Sequence, residues 1–183
     1  MAAVQLLGLA GSLRSGSHNR ELLRLAGECL PAGVELELWE GLALLPAFDE
    51  DAEPDPGTAV GQLRTALAAA DGVLLAVPEY NGSIPGALKN ALDWASRPAG
   101  GGALRNKPVA VMSASTGSFG AVWAQAETRK VLGLLGARVT GPELALGKAH
   151  ERLAVPDEEL RTGIRGVVEA LLAELEVGAA VAA

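Results

Sequence analysis

The sequence predicts an α/β fold: a three-layer, doubly wound sheet of five parallel strands with helices on both faces. Two observations carry this. Five short apolar segments alternate with five segments of helical periodicity. The loops that leave the first, third and fourth apolar segments are also the three richest in Ser, Gly, Asn and Thr. Open parallel sheets bind ligands outside the carboxyl ends of their strands, so such loops belong at a common edge.

Val4 to Ala10 reads as the first strand, followed by Gly11-Ser12-Leu13-Arg14-Ser15-Gly16-Ser17. A helix then carries Leu22, Leu23, Ala26 and Leu30 on one side, and Pro31-Ala32-Gly33 stops it. Val34 to Trp39 alternates Val34, Leu36 and Leu38 with Glu35 and Glu37, the pattern of a strand with one wet face near a sheet edge. Gly41 to Gly57 is a long irregular connection with an apolar patch at Leu42, Leu44, Leu45 and Phe48. Connections beyond about 12–15 residues are often functional, which makes it a candidate cover for a site or a partner surface. Thr58 is the expected cap of a second helix with Val60, Leu63 and Leu67 on its buried stripe.

Gly72 to Val77 forms the third strand, and Pro78-Glu79-Tyr80-Asn81-Gly82-Ser83 leads from it to a helix opened by Pro85. Leu88, Leu92 and Ala95 recur there at helical spacing, and Lys89 and Asp93 make a surface pair four residues apart. Pro98 to Asn106 reads as a Gly-rich surface loop, and Lys107 to Ser113 as the fourth strand. Ala114-Ser115-Thr116-Gly117-Ser118 follows, then a helix through Val122, Ala126, Val131 and Leu135. Arg138 to Leu146 contains the fifth strand. Pro156 opens a last helix bearing Leu160, Ile164, Val167, Val168, Leu171 and Leu175. With five strands and right-handed crossovers, the expected order is the flavodoxin-like 2-1-3-4-5. Neither an internal repeat nor a linker interrupts the chain, so residues 1–183 are read as a single domain.

The totals exclude several classes. A hydrophobic share of 49% over 183 residues is enough for a full core and argues against disorder. No apolar run reaches the roughly 18–20 residues of a membrane span. The N-terminal MAAVQLLGLAGS lacks a basic stretch and leads straight into a loop, which fits a first strand rather than a signal peptide. The single cysteine, Cys29, rules out an internal disulfide or a cysteine-rich zinc site, and its apolar neighbours suggest a buried, inert thiol. The cytoplasm is the default location. A net charge of −7 opposes binding to nucleic acid. The acidic cluster Asp49, Glu50, Asp51, Glu53 and Asp55 is interrupted by Pro54, with Pro56 after it, and reads as a solvated extended loop rather than a metal site.

Chemistry concentrates in the three polar loops. Gly11 to Arg20 (GSLRSGSHNR) offers the Ser12 and Ser17 hydroxyls, the Asn19 amide, the fixed positive fork of Arg14 and a possible donor in His18 at a helix start, a donor set for a phosphate group. A Walker loop requires Lys and then Ser or Thr after its second glycine, but Gly16 is followed by Ser17 and His18. The dinucleotide fingerprint is absent because Gly8 and Gly11 have the wrong spacing, and no G-x-S-x-G elbow occurs. ATPase, dinucleotide-fold dehydrogenase and esterase readings lose ground. Pro78 to Ser83 adds an aromatic face, an amide, a hydroxyl and a glycine, groups suited to a flat, heteroatom-rich ring.

The pattern G-S-x-R-x-x-S-x-N at Gly11 to Asn19, with P-E-Y-N-G-S-x-P-G-x-L-K-N-A-x-D-W at Pro78 to Trp94, resembles the NADPH-dependent FMN reductase family, which includes small bacterial quinone, chromate and azo-dye reductases. The resemblance runs over nearly the whole chain. It implies a flavodoxin-like fold, non-covalent FMN, NADPH or NADH as reductant, a small-molecule electron acceptor, and a homodimer or dimer of dimers. It also implies that Ser12, Arg14, Ser17 and Asn19 hold the phosphate. Pro78, Glu79, Tyr80, Asn81, Gly82 and Ser83 would lie along the isoalloxazine ring, and Ser115, Thr116 and Gly117 would form the third loop. Trp94 and Trp123, in amphipathic helices, are expected to pack in the core or between subunits.

The expected reaction is hydride transfer from NAD(P)H to FMN N5 and on to a quinone, a similar acceptor or free flavin. The flavin carries that chemistry, so no catalytic side chain is assigned. The alternatives are a flavodoxin-type electron carrier and a non-catalytic FMN-binding protein.

Overall fold

The computed structural model of the chain describes residues 3–182. Strands β1 (Val4–Ala10), β2 (Val34–Leu38), β3 (Gly72–Val77) and β4 (Pro108–Ala114) and two short pieces, β5 (Arg138–Val139) and β6 (Leu144–Leu146), make one sheet in the order β2-β1-β3-β4-β5, with β6 also on β4. Every strand pair is parallel. Helices α1 (His18–Glu28), α2 (Thr58–Ala69), α3 (Gly86–Ala95), α4 (Val122–Leu134), α5 (Ala149–Arg152) and α6 (Glu158–Ala182) cover the two faces.

Strand alternation sorts the core into two layers. Leu7, Leu9, Val73, Leu75, Val77, Val109 and Val111 point to the face covered by α2, α3 and α4. Leu6, Leu74, Ala76, Ala110 and Met112 point to the other, under α1 and α6. Central β3 is buried along its whole length, as a strand covered on both faces must be. β2 alternates half-buried and exposed residues at the sheet edge, as its sequence implies. Val60, Leu63 and Leu67 form the buried stripe of α2.

The fifth strand is broken. β5 pairs through Val139↔Val109 and β6 resumes at Leu144↔Met112, so two extra residues bulge out between them. Pro142 in that bulge has no N–H for the ladder, and Arg129 ties it down through the Thr140 carbonyl at 2.7 Å and Glu143 at 2.9 Å. Thr58 is the first residue of α2 rather than its cap; Gly57, at φ 83°, takes the cap position. The buried stripe of α4 is Ala124, Thr128 and Leu132 with Gln125, whereas Val122 and Ala126 face outward. Small and polar residues fill that stripe, so hydrophobic periodicity misses it. Cys29 is half-buried beside Arg161.

The long Gly41–Gly57 connection is fastened to α3. Asn90 Nδ2 donates to the Pro46 carbonyl at 2.8 Å, and Asn90 Oδ1 accepts from the Phe48 N–H at 2.7 Å. Trp94, fully buried, donates Nε1–H to the same Pro46 carbonyl at 2.9 Å and meets the Phe48 ring edge-on at 4.9 Å. Leu42, Leu45 and Phe48 therefore pack into the core and only Leu44 stays exposed, so the expected apolar patch is not a free partner surface. Arg97 pairs with Glu50 and Glu53, drawing the acidic loop onto the end of α3. The Gly-rich segment after α3 is anchored by buried Leu104.

Candidate active site

The first loop starts where β1 must approach its neighbours closely. A Cβ on Gly11 would lie 2.9 Å from Leu88 Cδ2 and 3.0 Å from Pro78 Cδ, so glycine alone lets this loop meet the second one. Ser12 is buried, and its Oγ lies 3.2 Å from the Tyr80 hydroxyl. Ser17 caps α1, accepting from the Arg20 N–H at 3.3 Å. Helix geometry leaves the His18 and Asn19 N–H groups without intrahelical acceptors, and the helix dipole adds positive potential there. Arg14 is exposed beside them, over Gly16. Burial first, then the charges of Arg14 and His150, hold the His18 imidazole below its ordinary pKa.

Asn19 turns inward instead. Its amide donates to the Ala114 carbonyl and accepts from the Ala114 N–H, both at 2.9 Å, tying the start of α1 to the end of β4.

The second loop is a tight turn. Tyr80 and Ser83 exchange backbone hydrogen bonds at 3.1 and 3.2 Å. Asn81 (φ 55°) and Gly82 (φ 75°) both occupy the left-handed region, the type I′ geometry that Asn-Gly favours. Glu79 does not face the turn: its carboxylate accepts from the Trp123 and Ala124 N–H groups at 3.2 Å each and caps α4, whose own cap position is Ala121. Lys89 and Asp93 pair on the α3 surface at 2.6 Å, as their spacing predicts.

The third loop is laced to the segment after β6. Ser115 N–H donates to the Leu146 carbonyl at 3.0 Å, the Ser115 carbonyl accepts from Ala149 at 2.9 Å, and the Gly117 carbonyl accepts from Lys148 at 3.1 Å. Below it, the buried Ser113 hydroxyl donates to the Gly120 carbonyl at 2.6 Å.

These loops enclose a cleft of about 180 Å³. Ser12, Arg14, Ser17, His18 and Asn19 line one part of it, Pro78, Glu79 and Tyr80 a second, and Ser115 and Thr116 a third. Asn81, Gly82, Ser83 and Gly117 lie beyond its lining. Ala114, the last residue of β4, also lines it, held there by its two-way bond with Asn19. A smaller hollow of about 60 Å³ lies on the other side of Ser12, against Arg20 and Trp39. Tyr80 is half exposed in the cleft, and around the start of α4 Phe119, Val122 and Trp123 are exposed, the Phe119 and Trp123 rings meeting edge-on at 5.3 Å. Among the described residues, no cluster of His, Cys, Asp and Glu has metal-binding geometry. No described helix is long and apolar enough to cross a membrane.

A family model described as NADPH-dependent FMN reductase matches residues 4–151. An NAD(P)H-dependent FMN reductase of Pseudomonas aeruginosa is 37% identical over 177 residues, 95% of this chain and 94% of the relative. A quinone reductase of Escherichia coli K12 is 38% identical over 153 residues, 82% of this chain and 81% of the relative. Among solved structures, FerB, a flavoenzyme NAD(P)H:(acceptor) oxidoreductase from Paracoccus denitrificans, superposes with a TM-score of 0.86 at 32% identity, covering 95% of this chain and 98% of that one. The chain therefore belongs to the NADPH-dependent FMN reductase family and is a flavin-dependent reductase that works with FMN and NAD(P)H.

Proposed function

We propose that the three-loop cleft holds FMN, that residues 1–183 act as one domain, and that the enzyme passes reducing equivalents from NADPH or NADH to a quinone or a similar small acceptor, or to free flavin. The observation that carries this is the convergence of an open helix N-terminus, two serines and Arg14 at one part of the cleft with Tyr80 at another, in contact through Ser12. The donor set fits the cofactor. Arg14 forms no ion pair among the described residues, so its fork is free for a phosphate.

When bound, FMN supplies the hydride exchange with NAD(P)H and with the acceptor. The protein binds and orients it. Ser12, Arg14, Ser17, His18 and the first N–H groups of α1 receive the phosphate. Asn19 fixes the distance from that end to β4. Pro78, Glu79 and Tyr80 would shape the ring side with the adjoining Asn81, Gly82 and Ser83 turn, whose Asn81 and Gly82 N–H groups would stabilise negative charge on the ring, the logic of an oxyanion site. Ser115, Thr116 and Gly117 close the third side.

The exposed Phe119–Trp123 pair at the start of α4 supports a homodimer or a dimer of dimers, because exposed aromatic side chains in contact suit an interaction surface. A cytoplasmic location fits a reductase drawing on NAD(P)H. The test is anaerobic mixing with NADPH or NADH followed by a benzoquinone. The flavin absorbance bleaches with the reductant and returns with the quinone; a flavin that stays yellow contradicts the reading and favours an electron carrier.

A further inference from the structure

A carboxylate outside the cleft lining holds the ring-side turn. Glu127 on α4 accepts from the Ser83 hydroxyl at 2.7 Å and from the Ile84 N–H at 3.2 Å. Glu79 runs the opposite way, from the loop onto the Trp123 and Ala124 N–H groups. Two carboxylates thus cross-brace residues 79–84 and the first turns of α4, and each engages two donors. A carboxylate that accepts two hydrogen bonds has a defined orientation, and charge-assisted bonds are roughly twice as strong as neutral ones.

The turn between them has little freedom left. In a type I′ turn the N–H groups of the two central residues have no partner within the turn, and their direction follows from where the flanking residues are held. Tyr80 is held at one end by Ser12 and Ser83 at the other by Glu127. Among the described residues, the other hydrogen bonds of Ser83 go back to Tyr80 across the turn, and the Ile84 side chain beside it is buried in the core, so Glu127 is the polar hold on this side.

We propose that Glu127 is a positioning residue for the reductase: by gripping Ser83 and Ile84 it aims the Asn81 and Gly82 N–H groups at the flavin ring, and so sets both flavin affinity and flavin potential. This rests on the FMN reading of the cleft. Aimed N–H donors stabilise negative charge on the ring, so releasing the grip makes reduction harder. Gln keeps an acceptor oxygen for the grip; Ala keeps none. Glu127 is exposed, so neither change opens a cavity in the core.

The experiment compares the wild type with Glu127→Ala and Glu127→Gln in three readouts: amide exchange at residues 81–84 in the flavin-free protein, the Kd for FMN, and the midpoint potential of bound FMN. Glu127→Ala exchanges faster in this segment, binds FMN roughly tenfold more weakly, as loss of about 1.4 kcal/mol gives, and has a more negative potential. Glu127→Gln stays close to the wild type in all three. Faster exchange in Glu127→Ala with unchanged Kd and potential overturns the proposal, because Glu127 is then a structural brace only; so does an Ala variant indistinguishable from the wild type. A wild type that binds no FMN overturns the cofactor reading first, and this proposal with it.

Discussion

Asn19 and Ala114 are bonded in both directions, with Asn19 Nδ2 donating to the Ala114 carbonyl and Asn19 Oδ1 accepting from its N–H, both at 2.9 Å, across 95 positions of sequence. The asparagine thereby behaves as an extra piece of strand at the end of β4. It joins the phosphate-side loop to the end of β4, where the third loop begins. Asn90 does the same between α3 and the Pro46–Phe48 segment. Asn19→Ala strands a buried N–H and a buried carbonyl, so it destabilises the protein by about 1–3 kcal/mol. Urea unfolding measures this, and Asn19→Asp is no rescue, because it restores the acceptor without the donor.

Arg14 has the opposite character. It is exposed and unpaired among the described residues, so its loss leaves stability unchanged. Arg14→Ala weakens FMN by about 1.5–3 kcal/mol if a charge-assisted bond to phosphate is lost. Riboflavin, which lacks the phosphate, binds the variant and the wild type equally. Parallel fluorescence titrations with the two flavins test this, and equal losses for both would remove Arg14 from the phosphate site.

Gly82 tests the turn. A Cβ built there meets nothing within 4 Å, so any effect of substitution is conformational rather than steric within the protein. At φ 75° a β-branched residue is strained by about 1–3 kcal/mol, whereas Asn tolerates the region. Gly82→Val therefore lowers the melting temperature and weakens FMN, while Gly82→Asn does much less of both. Normal FMN binding by Gly82→Val would mean that this turn does not serve the ring.

His18 gives a pH signature. Its pKa is lowered by burial, then by Arg14 and His150, so the unfolded chain binds more protons at this group than the folded one. That contribution to stability is present above about pH 6.5 and is lost as pH falls through the depressed value. The flavin-free wild type thus loses more stability on acidification than His18→Gln. A bound phosphate favours the imidazolium, so FMN shrinks the difference. Melting curves from neutral to mildly acidic pH, with and without FMN, provide the check; parallel curves for the two proteins contradict it.

Much of the fold could be read from apolar periodicity, because the core obeys it: Val60, Leu63 and Leu67 on α2, the unbroken β3, and the half-wet β2 are all where pattern puts them. The three polar loops were likewise legible, since strand-to-helix loops of a parallel sheet share one edge. What escaped was set by contacts between distant segments. Glu79 lines the cleft, but its second task, capping an α4 start whose Ala121 supplies no side-chain cap, is invisible locally because its partners lie 44 and 45 positions away. Asn90 reads as an ordinary helix residue, and nothing local reveals the Pro46 carbonyl opposite it. The stripe of α4 hid behind small Ala124 and two polar residues satisfied internally: Gln125 accepts from the Ser113 hydroxyl and donates to the Val111 carbonyl, and Thr128 donates to the Ala124 carbonyl. Two-way bonds by asparagine and long-range caps by glutamate leave no period in a sequence.

The most direct test of the central claim is a binding isotherm of the purified, flavin-stripped protein with FMN, followed by fluorescence quenching and compared with riboflavin under the same conditions. The three-loop cleft predicts saturation at one FMN per chain and markedly weaker binding of riboflavin, with the difference narrowed in Arg14→Ala. A protein that remains colourless and cannot be loaded with FMN would contradict the account.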